Sequence, residues 1–167
     1  MSSHPIYAVD LSDHAQLLLT PCPGTQGVDL STSLQQLCYK NSPALLTMMT
    51  KQELADMQVS DLPKHAVTYD MQWFHLPIED DTVPDQAWEE HFQSVLPRFL
   101  QLINNGMNLS LHCKGGSGRT GLVAARIMLA LGFELEDSIA KIRAVRPNAF
   151  SVPAQLEYIQ QFAKSAN

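Results

Sequence analysis

Leu109-Ser110-Leu111-His112-Cys113-Lys114-Gly115-Gly116-Ser117-Gly118-Arg119-Thr120-Gly121 is the stretch that decides the fold. A short apolar run, Met107 to Leu111, leads in, and a helix-like run from Leu122 to Leu131 leads out. Between them one cysteine stands six residues before one arginine, with three glycines in the interval. A strand, a tight loop and a helix in that order wrap backbone N–H groups around a phosphate. A thiol at the start of such a loop points to a phosphate that is attacked as well as held.

Working outward, short strands alternate with helices. Ile6–Asp10 and Leu17–Thr20 read as strands before a turn at Pro21-Cys22-Pro23-Gly24. Asp29–Tyr39 carries Leu30, Leu34 and Leu37 at helical spacing, and Ala44–Met48 reads as a short buried strand. Thr50 with Glu53 three residues later forms a capping box that opens a helix to about Met57. Met71–Leu76 reads as a strand. Thr82-Val83-Pro84-Asp85 opens a helix whose apolar face runs from Trp88 to Ile103, and Asn105-Gly106 stops it. After the central loop come helices over Thr120–Leu131, Glu134–Val145 and Val152–Ala163, the last two separated by Arg146-Pro147-Asn148. The alternation predicts a single α/β domain over 1–167, with a mostly parallel sheet of about five strands flanked by helices. Ligands of such sheets sit beyond the carboxyl ends of the strands, where Cys113 falls.

Composition narrows the partners. A chain of 167 residues buries a core as one domain. Net charge is −6 with no basic block, which argues against nucleic acid, so attraction for anions must be local. No apolar run reaches the roughly 18–20 residues that span a bilayer. The first residues lack a charged start followed by an apolar stretch, so no secretion signal is expected. Three irregularly spaced cysteines suit a reducing cytoplasm better than a disulfide scaffold. The six histidines show no ligand spacing, so no metal and no cofactor is expected.

The loop chemistry follows from residue types. The thiolate is the nucleophile, so Cys113 needs surroundings that favour the ionised sulfur: a helix N-terminus, inward amides and Arg119. Gly115, Gly116 and Gly118 allow the loop to take positive φ angles and turn successive N–H groups inward. The planar guanidinium of Arg119 matches two phosphate oxygens. Thr120 places a hydroxyl where it reaches the Cys113 sulfur. His112 orders the loop by hydrogen bonding, Ser117 is a turn residue, and Lys114 is either solvated or a substrate contact. Phosphoryl transfer also needs a proton donor for the leaving oxygen. The stretch His75 to Asp85 is expected to form a mobile loop with four acids. Asp85, three after Thr82, reads as a helix cap and Glu79 as solvated, leaving Asp80 and Asp81.

The set His112-Cys113-x5-Arg119-Thr120 resembles the signature of cysteine-based protein tyrosine and dual-specificity phosphatases, and in particular the kinase-associated phosphatase group. The resemblance runs from about Leu19 to Phe162. It takes in Pro21-Cys22-Pro23-Gly24, His75-x-Pro77-Ile78-x-Asp80 with Pro84-Asp85 behind, and Gln155-Leu156-Glu157-Tyr158. By that resemblance the general acid is Asp80. It implies metal-independent hydrolysis through a phosphocysteine that Cys113 forms and water then cleaves, with Asp80 first acid and then base. Gln155 matches the second of two glutamines that place this water, and Ser151 stands at the first. The large tyrosine-specific enzymes carry a lysine-asparagine-arginine-tyrosine segment. Tyr39-Lys40-Asn41-Ser42 lacks its second half and reads as a helix end. A shallower pocket follows, open to phosphotyrosine and to phosphoserine or phosphothreonine in proteins and peptides. Oxyanions such as phosphate, sulfate, vanadate and tungstate are expected in the same loop.

Two other functions compete. Lys114 after the cysteine suits a phosphatase of a non-protein substrate such as a phosphoinositide, although Ser117 stands where such enzymes place a second lysine. A silent phosphate-binding module would have lost the cysteine, the arginine or the acid, and all three are present. Under oxidation, Cys22 or Cys38 is a candidate disulfide partner for Cys113.

Overall fold

The computed structural model describes residues 2–166. Its elements are β1 (Tyr7–Asp10), β2 (Gln16–Thr20), α1 (Leu30–Tyr39), β3 (Ala44–Thr47), α2 (Lys51–Asp56), α3 (Leu62–Thr68), β4 (Gln72–His75), α4 (Gln86–Asn104), β5 (Leu109–His112), α5 (Gly118–Ala130), α6 (Leu135–Val145) and α7 (Pro153–Ser165). The sheet has five strands in the order β1-β2-β5-β3-β4. β1 pairs antiparallel with β2, and the other pairings are parallel. The expected mostly parallel α/β sheet is therefore present, with one antiparallel edge.

Every residue of β3 and β5 is buried. Successive side chains point to opposite faces, so full burial means that helices cover both sides, and it accounts for the apolar runs Ala44-Leu45-Leu46 and Leu109-Ser110-Leu111. α5 packs on β5 and β2, with α4, α6 and α7 against it, and α3 packs on β4 and α1. β5 lies between β2 and β3, and His112 pairs in register with Thr20 on one side and Thr47 on the other. The loop after His112 thus emerges at the middle of the sheet's carboxyl edge.

Local chemistry sets the element ends. Asp29 caps α1, its carboxylate accepting from Thr32 N at 2.7 Å. Both hydrogen bonds of the Thr50–Glu53 capping box are present. Asp85 is a cap, but it is itself the N-cap of α4, accepting from Trp88 N at 2.8 Å. Thr82 does not join it in a box, because its hydroxyl donates to Glu79 O at 2.7 Å. α3 has no counterpart among the sequence-predicted elements. With two buried positions, Leu62 and Ala66, it carries too little periodicity to stand out. Among the described residues no helix is long and apolar enough to cross a membrane.

Candidate active site

The chain leaves β5 at His112 and enters α5 at Gly118. His112 is fully buried in the network that fixes this exit. Its Nδ1 lies 3.1 Å from Cys113 O, and its Nε2 lies 2.7 Å from Thr47 Oγ1, which also accepts from Trp73 Nε1 at 2.8 Å. A carbonyl only accepts, so Nδ1 carries the proton and Nε2 accepts from the Thr47 hydroxyl. Burial pushes the His112 imidazole down to about 4, so it stays neutral near pH 7.

Cys113 is 4% exposed at the floor of a cavity of about 360 Å³, which Asp80, Asp81, Lys114, Ser151 and Gln155 also line. Its Sγ accepts from Gly116 N at 3.3 Å. Of the three loop glycines only Gly116 has positive φ, at 80°. Gly115 and Gly118 do not use that freedom, and Gly118 already opens α5. Gly118 is small for another reason: a Cβ there would stand 3.3 Å from Gln155 Oε1. At Gly116 a Cβ would lie 2.6 Å from both Thr20 C and Thr20 O, backbone that cannot yield. Gly116→Ala is therefore expected to lose about 2 kcal/mol or more, seen in thermal unfolding, together with oxyanion binding. Unchanged stability would refute the close approach.

The N-cap of α5, Ser117, makes no side-chain cap hydrogen bond, so the first N–H groups of the helix stay open to a ligand. Its hydroxyl instead accepts from Arg146 Nη2 at 3.0 Å. Arg119, 1% exposed, is held along one edge. Nη1 donates to Glu53 Oε1 at 2.7 Å and to Ile78 O at 2.8 Å, and Nη2 donates to Glu53 Oε2 at 2.9 Å. Nε is buried without a hydrogen-bond partner among the described residues. The Nε–Nη2 edge can supply the bidentate grip expected of the planar guanidinium once the Asp80 carboxylate, 3.4 Å from Nη2, yields to a bound oxyanion. Burial opposes the charge on Arg119, but the Glu53 carboxylate, together with Cys113 and Asp80, outweighs it and raises the guanidinium above its ordinary value. At Glu53, burial pushes the carboxyl up, while Arg119 and the Thr50 amide more than offset this and hold it below its usual range.

Asp80 is exposed, with Oδ1 3.4 Å from Arg119 Nη2 and accepting from Asp81 N at 3.0 Å. The loop that carries it, expected to be mobile, is pinned on both sides. Ile78 N donates to Met48 O at 3.0 Å, Ile78 O accepts from Arg119, and Thr82 O accepts from Gln155 Nε2 at 3.1 Å. Gln155 is 1% exposed and its Oε1 has no partner. Because Nε2 must face the Thr82 carbonyl, Oε1 is fixed as an acceptor. The Thr120 hydroxyl, read as able to reach the Cys113 sulfur, is buried with no hydrogen-bond partner among the described residues. Among the two other thiols, Cys22 lies beside the loop, its N–H donating to Lys114 O at 3.0 Å, whereas Cys38 sits on α1 against Tyr69 O. Burial, then the neighbouring Cys113, pushes the Cys22 thiol up to about 12.

Two site residues escaped the sequence reading. Glu53 was assigned only to its capping box, although its place just beyond the carboxyl end of β3, beside the central strand, was a usable signal. Arg146 was read only as part of a helix break, and nothing local marks its contacts. Among the described residues no group of three or more His, Cys, Asp and Glu forms a metal-binding set.

The geometry can be set beside known proteins. The family model described as "Tc-R-P: Polymorphic toxin system, DSP-PTPase phosphatase" matches residues 25–133, more than half of the chain. The tyrosine-protein phosphatase CDC14 of Saccharomyces cerevisiae is 32% identical over 93 residues, covering 55% of this chain and 16% of its own length. This chain therefore spans only a small part of that relative. The cyclin-dependent kinase inhibitor 3 of Rattus norvegicus is 27% identical over 153 residues, 86% of this chain and 70% of its own. The crystal structure of kinase-associated phosphatase, with its catalytic-site cysteine substituted by serine, superposes with a TM-score of 0.86 at 23% identity, covering 99% of this chain and 97% of that one. The sheet order, the cysteine-to-arginine loop and the family match agree, and the chain belongs to the DSP-PTPase phosphatase family.

Proposed function

We propose that residues 1–167 act as one dual-specificity-type catalytic domain that hydrolyses phosphate monoesters on protein side chains through a phosphocysteine. The observation that carries this reading is the pairing of the Cys113 sulfur, on an inward amide at 3.3 Å, with the unpartnered buried Nε of Arg119. In the first step the sulfur attacks phosphorus in line, the P–O bond to the leaving group breaks, and Asp80 gives its proton to the departing oxygen. The phosphoryl oxygens rest on the loop amides, the open first turn of α5 and the Arg119 edge, which together balance the growing negative charge. In the second step water attacks phosphorus, Asp80 takes its proton, and the S–P bond breaks to free the thiolate and phosphate. The fixed Gln155 Oε1 suits a water that donates to it during this attack.

The exposed mouth favours a protein side chain over a polyphosphorylated lipid headgroup. Beside Lys114 a neighbouring cleft gathers Glu53, Asp56, Glu79 and Asp80, so carboxylates outnumber the one lysine there. Free Cys22 and Cys38 and a catalytic thiol suit a reducing cytoplasm.

Turnover on phosphotyrosine and phosphothreonine peptides, set against inositol phosphates, tests the substrate class. Hydrolysis of inositol phosphates alone would overturn it. Asp80→Asn is expected to slow phosphopeptide cleavage about 10²–10⁴-fold and to matter far less for p-nitrophenyl phosphate, whose leaving oxygen hardly needs a proton. Phosphopeptide cleavage by Asp80→Asn at the wild-type rate would move the acid to Asp81 or elsewhere.

A further inference from the structure

We propose that Arg146 is a positioning residue that sets which way the phosphate-loop peptides face. The proposal rests on the loop being an oxyanion site. Arg146 follows α6, its N–H donating to Ile142 O at 2.8 Å, and its guanidinium lies over the Tyr7 ring of β1 at 4.3 Å. From there Nη2 donates to Gly115 O at 2.7 Å and Nε donates to Gly116 O at 3.2 Å, with Ser117 Oγ completing the fork.

Each of these carbonyls belongs to the same trans peptide as the next residue's N–H, and in a planar trans peptide the two groups point in opposite directions. Drawing Gly115 O outward therefore turns the N–H of Gly116 inward, and that N–H is the one found on the Cys113 sulfur at 3.3 Å. Drawing Gly116 O outward turns the Ser117 N–H inward by the same geometry. Gly116, at φ 80°, has the freedom to let both planes rotate, so an external brace is needed to choose one orientation. A planar fork with spaced donors suits two successive carbonyls, whereas the three donors of an ammonium radiate from one nitrogen and do not match that spacing. Arg146 touches no reacting atom and acts through the peptides it holds.

Binding of tungstate by calorimetry, alongside kcat and KM on p-nitrophenyl phosphate, tests this on the full chain. Arg146→Met is expected to weaken tungstate binding at least about tenfold and to lower kcat/KM by about 10²-fold, the scale of a lost oxyanion donor. Arg146→Lys keeps the charge and most of the bulk. It is expected to restore the thermal midpoint but to leave tungstate binding weakened by a similar factor, which a purely structural role would not do. Tungstate affinity within about twofold of wild type in Arg146→Lys overturns the proposal, even if Arg146→Met fails to fold. Failure of the wild type itself to bind tungstate overturns it too, and takes the oxyanion-site reading with it. Tight wild-type binding with unaffected variants removes only the role of Arg146.

Discussion

Cys113→Ser is expected to lower turnover of p-nitrophenyl phosphate by at least about 10⁴-fold, the scale on which enzymes lose activity with their nucleophile. A serine hydroxyl is not ionised near neutrality, and no base stands on the sulfur to take its proton. The Sγ partner in the structure is the Gly116 N–H, a donor, which stabilises an anion and cannot activate an alcohol. The anion site should outlive the nucleophile. Gly116, the open first turn of α5 and the Arg119 edge are untouched, so tungstate should bind Cys113→Ser within about tenfold of wild type. Initial rates and calorimetry on the same preparation check both halves. Residual turnover above roughly 1% would show that the reaction runs without a phosphocysteine.

Glu53→Ala is expected to be the most destabilising single change in the site. Arg119 is 1% exposed and takes both Glu53 oxygens, at 2.7 and 2.9 Å. Removing one partner of a buried pair costs about 3–5 kcal/mol, and a loss toward the lower end is expected here, because Glu53 is 22% exposed and Arg119 keeps Ile78 O and the nearby Asp80 carboxylate. The capping box adds about 1 kcal/mol, as Glu53 also accepts from Thr50 N at 3.1 Å. For a chain of this size each kcal/mol lowers the thermal midpoint by about 2–4 °C. Glu53→Gln keeps the shape and an acceptor and should lose less. The pH dependence has a definite sign. The Glu53 carboxyl is held below its ordinary value in the folded chain. Its stabilisation is therefore fully present above the unfolded value, about 4.3, and is lost as pH falls through the lower folded value. The stability gap between wild type and Glu53→Gln should close below about pH 4. A constant gap from pH 7 to pH 3 in urea titrations would show that charge plays no part.

What the sequence made legible was local. The apolar run Met107 to Leu111 led into β5, observed at Leu109–His112, and α5 came within two residues of its true start, because an apolar run and a glycine-rich loop announce themselves in consecutive residues. The Thr50–Glu53 box was read correctly for the same reason. Its second task was not, since Glu53 meets Arg119 across 66 positions of chain and no periodicity links them. Arg146 reaches Gly115 across 31 positions, and the proline after it gave a sufficient local account. The glycines showed freedom without showing its use. Three in one loop allowed positive φ angles, whereas one turns the chain, one begins a helix, and Gly115 keeps open space around it. The acid loop looked mobile because it is polar and rich in charge. Its restraints, Met48 O, Arg119 and Gln155, all come from other elements.

The placement of β5 has a mechanical consequence. Cys113 follows the strand bonded on both sides, whereas Asp80, the proposed acid, rides on a surface segment held by the Ile78 N–Met48 O bond and by contacts from Arg119 and Gln155. Warming should therefore degrade the two halves of the catalyst in order. On the proposed mechanism, proton delivery is expected to fail first, and a partly loosened molecule to keep its sulfur competent toward esters that depart unaided.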